Sequence, residues 1–139
     1  MSILSDFYLS DAARAKDYDT DQQCAENDRA RFQGVTPLEI STLWAIVEKK
    51  EWDVAMMDDF VEILSVGGGQ RLIYEFPHPV VERMAGLTAV DIGTSAEAWA
   101  QTDELGCDSA EIQPVIEELV RLSQRARVTN RNLYLWVCV

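Results

Sequence analysis

The sequence predicts a single α+β domain, mostly helical, with a small sheet formed by strands at the N-terminal end, in the middle and at the C-terminal end of the chain. Its length of 139 residues is typical of one domain. Apolar residues make up 47% and charged residues 26%, which is ordinary for a folded globule. The strand-like segments do not alternate regularly with helical ones, which indicates α+β rather than α/β. We therefore expect residues 1–139 to form one domain.

Three segments have the composition of strands. Residues 5–9 form a short segment that contains aromatic side chains, and residues 72–76 form an apolar segment that ends before Pro77. Residues 133–139 form a continuous apolar run, which is typical of a strand covered on both faces. We expect this last strand to be buried and to pair with residues 5–9, in a direction that the sequence leaves open.

Helix signals begin at residues 36–39, where threonine, proline and glutamate form a capping box. Apolar residues at helical spacing then continue to about Lys50. Asp53 can cap a second helix, whose apolar positions run to Leu64 before a stretch of glycines. Residues 11–34 are polar and charged, and we expect a short helix and a long loop there.

Three more helices are predicted in the second half of the chain. The first opens at Pro79 and ends at Gly86, and the second extends to Leu105. The third starts at Asp108 and carries an apolar face. Pro114 marks either the first turn of this helix or a kink, because proline lacks the backbone donor that a helix interior needs.

The charge of the chain is strongly acidic and unevenly distributed. The formal net charge is −12. Residues 51–118 carry fifteen acids against two arginines, whereas residues 119–139 carry four arginines and no acid. An acidic middle repels phosphate backbones, so we expect no nucleic-acid binding. It suits a basic protein partner, although acidity for solubility alone stays open.

Membrane insertion and export are not predicted. The longest apolar run, residues 133–139, is far shorter than the roughly twenty residues of a membrane span. The first ten residues lack a basic region and an apolar stretch of the signal-peptide kind. Cys24, Cys107 and Cys138 are far apart and form no C-x-x-C pair. We expect reduced thiols in a bacterial cytoplasm, without a disulfide or a zinc site.

The densest acidic cluster is the first candidate site. Asp53, Asp58, Asp59 and Glu62 lie around Trp52, and on the predicted helix Asp58 and Glu62 share a face. An exposed tryptophan among carboxylates is a plausible contact for a basic protein. A solvated helix face, a general acid and base pair and a metal-binding acidic module are the other readings.

His78 is the second candidate, because any histidine-based chemistry depends on this single imidazole. It lies between Pro77 and a second proline, where a predicted strand ends and a helix begins. Such junctions host active-site residues. With Glu75 or Glu82 it would serve a small hydrolase or transferase. A surface or capping histidine is the alternative, since no G-x-S-x-G elbow accompanies it.

Asp17, Asp19 and Asp21 resemble the start of a calcium-binding EF-hand loop. Gln22 stands where the loop needs glycine, and Asp28 stands where it needs a bidentate glutamate. A solvated acidic loop is therefore expected, and we expect no metal or other cofactor.

Residues 119–126 have the form L-x-x-L-x-x-x-A, and Leu-Tyr-Leu-Trp follows at residues 133–136. This end of the chain resembles the close of the small YfbM-like domains. The segment from residue 36 to 46, followed by Glu-Trp-Asp at 51–53, is similar to bacterial proteins of unknown function. The resemblance implies an α+β fold and says nothing about catalysis.

The function predicted first is a non-enzymatic, acidic protein-binding protein of a regulatory or immunity type. Its candidate surface is Trp52 with the neighbouring carboxylates. The hydrolase or transferase that uses His78 is the alternative. No pattern in the sequence indicates an oligomeric state.

Overall fold

The computed structural model describes residues 3–18 and 24–139, and its centre is a five-stranded antiparallel sheet. The strand order is β2-β1-β5-β4-β3, and every neighbouring pair is antiparallel. The strands are β1 (Leu4–Ser10), β2 (Arg29–Gln33), β3 (Val61–Val66), β4 (Arg71–Glu75) and β5 (Asn132–Cys138).

Helices occupy the connections between these strands. They are α1 (Pro37–Glu48), α2 (Val54–Asp58), α3 (His78–Ala85), α4 (Ala89–Ala100) and α5 (Ser109–Thr129). Two single turns of 3₁₀ helix, Ala15–Asp17 and Glu26–Asp28, lie between β1 and β2. The α+β class predicted from the sequence is thereby confirmed, with strands from the start, middle and end of the chain in one sheet.

The C-terminal strand β5 lies at the centre of the sheet. It pairs with β1 on one side, where Phe7 faces Leu135, and with β4 on the other. Its odd-numbered residues from Leu133 to Val137 are buried in the main core beneath the helices. The predicted burial of this strand and its pairing with residues 5–9 are confirmed, and the pairing is antiparallel.

The main core fills the space between one face of the sheet and the helices. Helix α5 packs against α3 and α4 and reaches β1, and α1 packs against α4. Trp99 of α4 is fully buried, and its indole nitrogen donates to the carbonyl oxygen of Glu39 at 2.9 Å. The carboxylate of Glu39 accepts from the backbone nitrogen of Thr36 at 2.7 Å and from its hydroxyl at 2.6 Å. The predicted cap therefore fixes the start of α1.

The opposite face of the sheet is partly covered by the segment between β1 and β2, and none of the helices α1–α5 contributes a residue to the apolar cluster on it. Tyr18 stacks on Tyr8 with ring centroids 4.0 Å apart, and Tyr8 stacks on Tyr134. The hydroxyl of Tyr8 donates to the carbonyl oxygen of Ala15 at 2.6 Å. Together with Ile73 these residues form a second, smaller core. We call this side of the sheet the open face.

Three parts of the predicted secondary structure are wrong. The helix expected from Asp53 to Leu64 ends at Asp58, and the chain continues as strand β3 from Val61. Residues 29–33, expected in a loop, form β2. The helix predicted to extend to Leu105 ends at Ala100.

Helix α5 passes through Pro114 without a break. Proline at this position lies close to the start of the helix and is exposed to solvent, which limits the disturbance. The solvated acidic loop expected around Asp17, Asp19 and Asp21 falls mostly outside the described residues. No helix in the described part of the chain is long and apolar enough to cross a membrane.

Candidate functional site

The acidic candidate site occupies residues 51–62, which join α1 to β3 and which we call the acidic segment. It holds five acids and no base. Because α2 is only one turn long and β3 begins at Val61, Asp58 and Glu62 do not share a helix face as the sequence predicted. All of the candidate side chains are nevertheless exposed: Trp52, Asp53, Asp58, Asp59 and Glu62.

The carboxylates of the acidic segment have few partners within the protein. Asp53 caps α2 by accepting from the backbone nitrogen of Ala55 at 2.8 Å. Within residues 3–18 and 24–139, no lysine or arginine forms an ion pair with Asp58, Asp59 or Glu62. The negative charge of this surface is therefore left to solvent or to a partner.

The four arginines near the C-terminus cannot supply that missing positive charge. Arg125 and Arg131 both bind Asp28, through atoms 2.5 to 3.0 Å apart. Arg121 forms an ion pair with Glu118 and donates to the backbone carbonyl oxygens of Asn27 and Arg29. Arg127 forms an ion pair with Glu82. The basic C-terminal residues therefore pair with other groups of the protein, and they do not balance the negative charge of the acidic segment.

Trp52 is held in place at one edge and exposed on the other. Its indole nitrogen donates to the hydroxyl oxygen of Ser41 on α1 at 2.9 Å. The residue is still 40% exposed, and Val54 and Val61 of the same segment are exposed as well. An aromatic ring that is already fixed loses little conformational entropy when a partner covers it.

A shallow depression of about 340 Å³ adjoins the acidic segment. Its apolar lining includes Leu38, Met57 and Phe60, and Asp58 stands at its edge. Tyr74 lines it as well, and burial together with the charge of Glu62 raises the pKa of the Tyr74 phenol. The surface therefore combines negative charge with a place for an apolar side chain.

His78 lies at the junction of β4 and α3, as the sequence predicted. Its Nε2 atom is 3.5 Å from Oε1 of Glu82, but its side chain is 82% exposed. Both residues line a groove of about 280 Å³, as does Glu75. No serine, threonine, cysteine or tyrosine belongs to the described lining of this groove. The arrangement offers an imidazole and carboxylates without a nucleophilic side chain.

The described residues contain no arrangement suited to metal binding or to thiol chemistry. No group of three or more histidine, cysteine, aspartate or glutamate side chains lies close enough together to hold a metal ion. Cys24, Cys107 and Cys138 are unpaired. Burial raises the pKa of the Cys24 thiol, with a further contribution from Asp28, and also raises that of Cys107. A raised pKa keeps a thiol protonated and weakens it as a nucleophile.

The sequence reasoning missed a polar cluster on the open face. Asp6 of β1 faces Arg31 of β2 across the sheet and Trp136 of β5 on the other side. The hydroxyl of Tyr18 donates to Oδ2 of Asp6 at 2.5 Å. The available signal was a single charged residue within an otherwise uncharged strand. Its partners are distant in sequence, so only strand pairing brings them together.

Comparisons with known proteins gave no match: no family model, curated protein or solved structure is similar to this chain. The resemblance to YfbM-like domains stays a prediction.

Proposed function

We propose that this protein is a non-enzymatic binding protein that holds a basic protein segment on its acidic segment. The observation that carries the proposal is the set of exposed carboxylates at Asp58, Asp59 and Glu62, which have no internal cation among the described residues. A regulatory or immunity-type role in a bacterial cytoplasm fits such a surface. The three unpaired cysteines also suit a reducing compartment.

Two further features favour a protein as the partner rather than a small cation. Trp52 offers a fixed aromatic surface, and tryptophan is among the residues most enriched at binding hot spots. The depression beside Phe60 can accept an apolar side chain that stands between basic residues. Electrostatic attraction would speed the encounter, and the aromatic and apolar contacts would hold the complex.

Charge reversal tests the proposal directly. We would capture proteins from an extract of the source organism with the wild type and with Asp58→Lys/Asp59→Lys. The matched control is Asp103→Lys/Glu104→Lys, which reverses two adjacent, exposed acids in the turn after α4. Quantitative mass spectrometry at low and high salt gives the readout.

We expect the wild type and the control to enrich the same basic protein, with at least tenfold less in the Asp58/Asp59 variant and less at high salt. All three proteins should melt at similar temperatures, because the changed side chains are exposed. Equal capture by the Asp58/Asp59 variant and the wild type would remove this surface from the interface.

A hydrolase or transferase using His78 is the second candidate, and the contact with Glu82 is the observation in its favour. Without a nucleophilic side chain in the groove, its chemistry would be activation of a water molecule. Hydrolysis of an activated ester by the wild type and by His78→Ala tests this. Equal rates would exclude the histidine from any such reaction.

A further inference from the structure

A second surface, on the open face of the sheet, has the features of a small-molecule site. Strand pairing places Arg31, Asp6 and Trp136 in one row across β2, β1 and β5. Residues directly opposite each other on neighbouring strands project from the same face. This row therefore brings a cation, an anion and an indole side by side on the open face, which is the side of the sheet opposite the main core.

Asp6 is a buried carboxylate whose hydrogen bonding is incomplete. The residue is only 7% exposed. Its Oδ2 atom accepts from Tyr18 and lies 3.7 Å from Nε of Arg31, which is a long ion pair. Its Oδ1 atom has no hydrogen-bond donor among the described residues. Burial raises the pKa of Asp6 against the opposing effects of the hydrogen bond from Tyr18 and the charges of Arg31 and Arg29.

Arg31 has more hydrogen-bond donors than its contact with Asp6 uses. Its side chain is 63% exposed, and Asp6 is its ion-pair partner in the described structure. A guanidinium carries five N–H donors in a planar fork that matches a carboxylate. Gln33, the next residue on the same face of β2, is also exposed.

These groups line a cavity of about 690 Å³ on the open face. Leu4 and Trp136 provide apolar side chains beside the polar groups, whereas the ring of Phe32 packs into the main core against Phe7. Leu4 is 43% exposed. A concave site in which a few polar groups converge beside apolar side chains is suited to small-molecule binding.

We propose that this cavity binds a free α-amino acid with an apolar side chain. The ammonium group of the ligand would donate to Oδ1 of Asp6, and its carboxylate would accept from the guanidinium of Arg31. The ligand side chain would lie against Leu4 and Trp136.

The adjacency of the two charges is what selects a zwitterion. An amine alone would bring its positive charge close to Arg31, and a carboxylate alone would bring its negative charge close to Asp6. Such like-charge contacts are unfavourable at the low effective dielectric constant of a half-buried site. A ligand that carries both charges on neighbouring atoms satisfies Asp6 and Arg31 together.

Calorimetric titration with L-leucine and L-phenylalanine tests the proposal. Isopentylamine and 4-methylpentanoate are the matched probes, since each keeps the apolar part of leucine and only one of its charges. Arg31→Gln is the main variant because its side chain is 63% exposed, so we expect the fold to tolerate the change, and Asp6→Asn is the second. Arg127→Gln, which removes an exposed arginine elsewhere, is the control.

We expect saturable binding of at least one of the two amino acids with a dissociation constant of about 1 mM or tighter. Arg31→Gln and Asp6→Asn should each weaken it at least tenfold, with Arg127→Gln unchanged, and the single-charge probes should also bind at least tenfold more weakly. No saturable binding of either amino acid, or equal binding by Arg31→Gln and the wild type, would overturn the proposal. Equal binding of a single-charge probe and the amino acid would also overturn it. Because this site does not include the acidic segment, none of these outcomes affects the proposed protein binding.

Discussion

Replacing Asp28 by asparagine should remove the main electrostatic link between the two ends of the chain. Asp28 ends the 3₁₀ turn before β2 and is bound by Arg125 of α5 and by Arg131, just before β5. Its side chain is only 12% exposed. Arg131 binds both carboxylate oxygens, at 2.9 and 3.0 Å, which is the bidentate geometry that arginine favours. Asparagine keeps the shape of the side chain and removes its charge.

The magnitude follows from the acidity of this carboxyl group. Hydrogen bonds from Arg131, and then from Arg125, lower the pKa of Asp28 from 3.8 to about 2, against an opposing effect of burial. A tenfold change in a proton equilibrium corresponds to about 1.4 kcal/mol, so this difference is about 2 kcal/mol of folding free energy at neutral pH. Since the pKa is lower in the folded state, the stabilisation is complete above pH 4 and is lost as the pH falls towards 2.

Urea unfolding of the wild type and Asp28→Asn across this pH range is the assay. We expect the variant to be about 2 kcal/mol less stable at pH 7, with the difference narrowing between pH 4 and 2. Asp58→Asn is the matched control: its side chain is exposed and has no cation partner among the described residues, so its effect should stay within about 0.5 kcal/mol. An Asp28→Asn variant as stable as the control at pH 7, or a difference that does not change with pH, would refute this reasoning.

Three further predictions concern the fold. Thr36→Ala should lower the free energy of unfolding by about 1 kcal/mol, measured by urea denaturation, because it removes a hydroxyl that binds Glu39 at the start of α1. Tyr8→Phe should lower it by about 1–3 kcal/mol, since the buried carbonyl of Ala15 would lose its donor. Truncation after Asn132 should abolish cooperative thermal unfolding because it removes the central strand β5; a soluble fragment with a melt near that of the wild type would contradict the sheet order.

The sequence predicted the elements whose signals are local. The capping box at residues 36–39 and the continuous apolar run at 133–139 each determine a structure by themselves. The error between Asp53 and Leu64 has a physical cause, because apolar residues there fit a helical period and a strand equally well. The β-branched residues Val61, Ile63 and Val66 favoured the strand. Pairing with β4 stabilises it as one edge of the sheet.

Strand β2 was missed because Arg29–Gln33 is short and polar, as edge strands often are. It is identifiable only through its pairing with β1 and through Arg121, which donates to the carbonyl oxygen of Arg29. The open-face cavity escaped prediction for a related reason. Asp6 and Arg31 become neighbours through strand register, and no local pattern reports which strands pair.

For the candidate sites, the sequence could suggest that the side chains are exposed to solvent, but it could not establish this. The acidic cluster around Trp52 was named from composition, and the structure places each of its side chains at the surface. What the sequence did not show is that the basic C-terminal segment is engaged by Asp28 and by other groups outside the acidic segment. That arrangement leaves the negative surface uncompensated.

Hydrogen–deuterium exchange of the protein bound to its captured basic partner tests the central claim most directly. The account predicts that backbone amides in residues 51–62, and those of the depression around Tyr74, exchange more slowly in the complex than in the free protein. Amides of the open face and of the groove at His78 should be unchanged. Slower exchange at either of those two sites, with none in residues 51–62, would contradict the account.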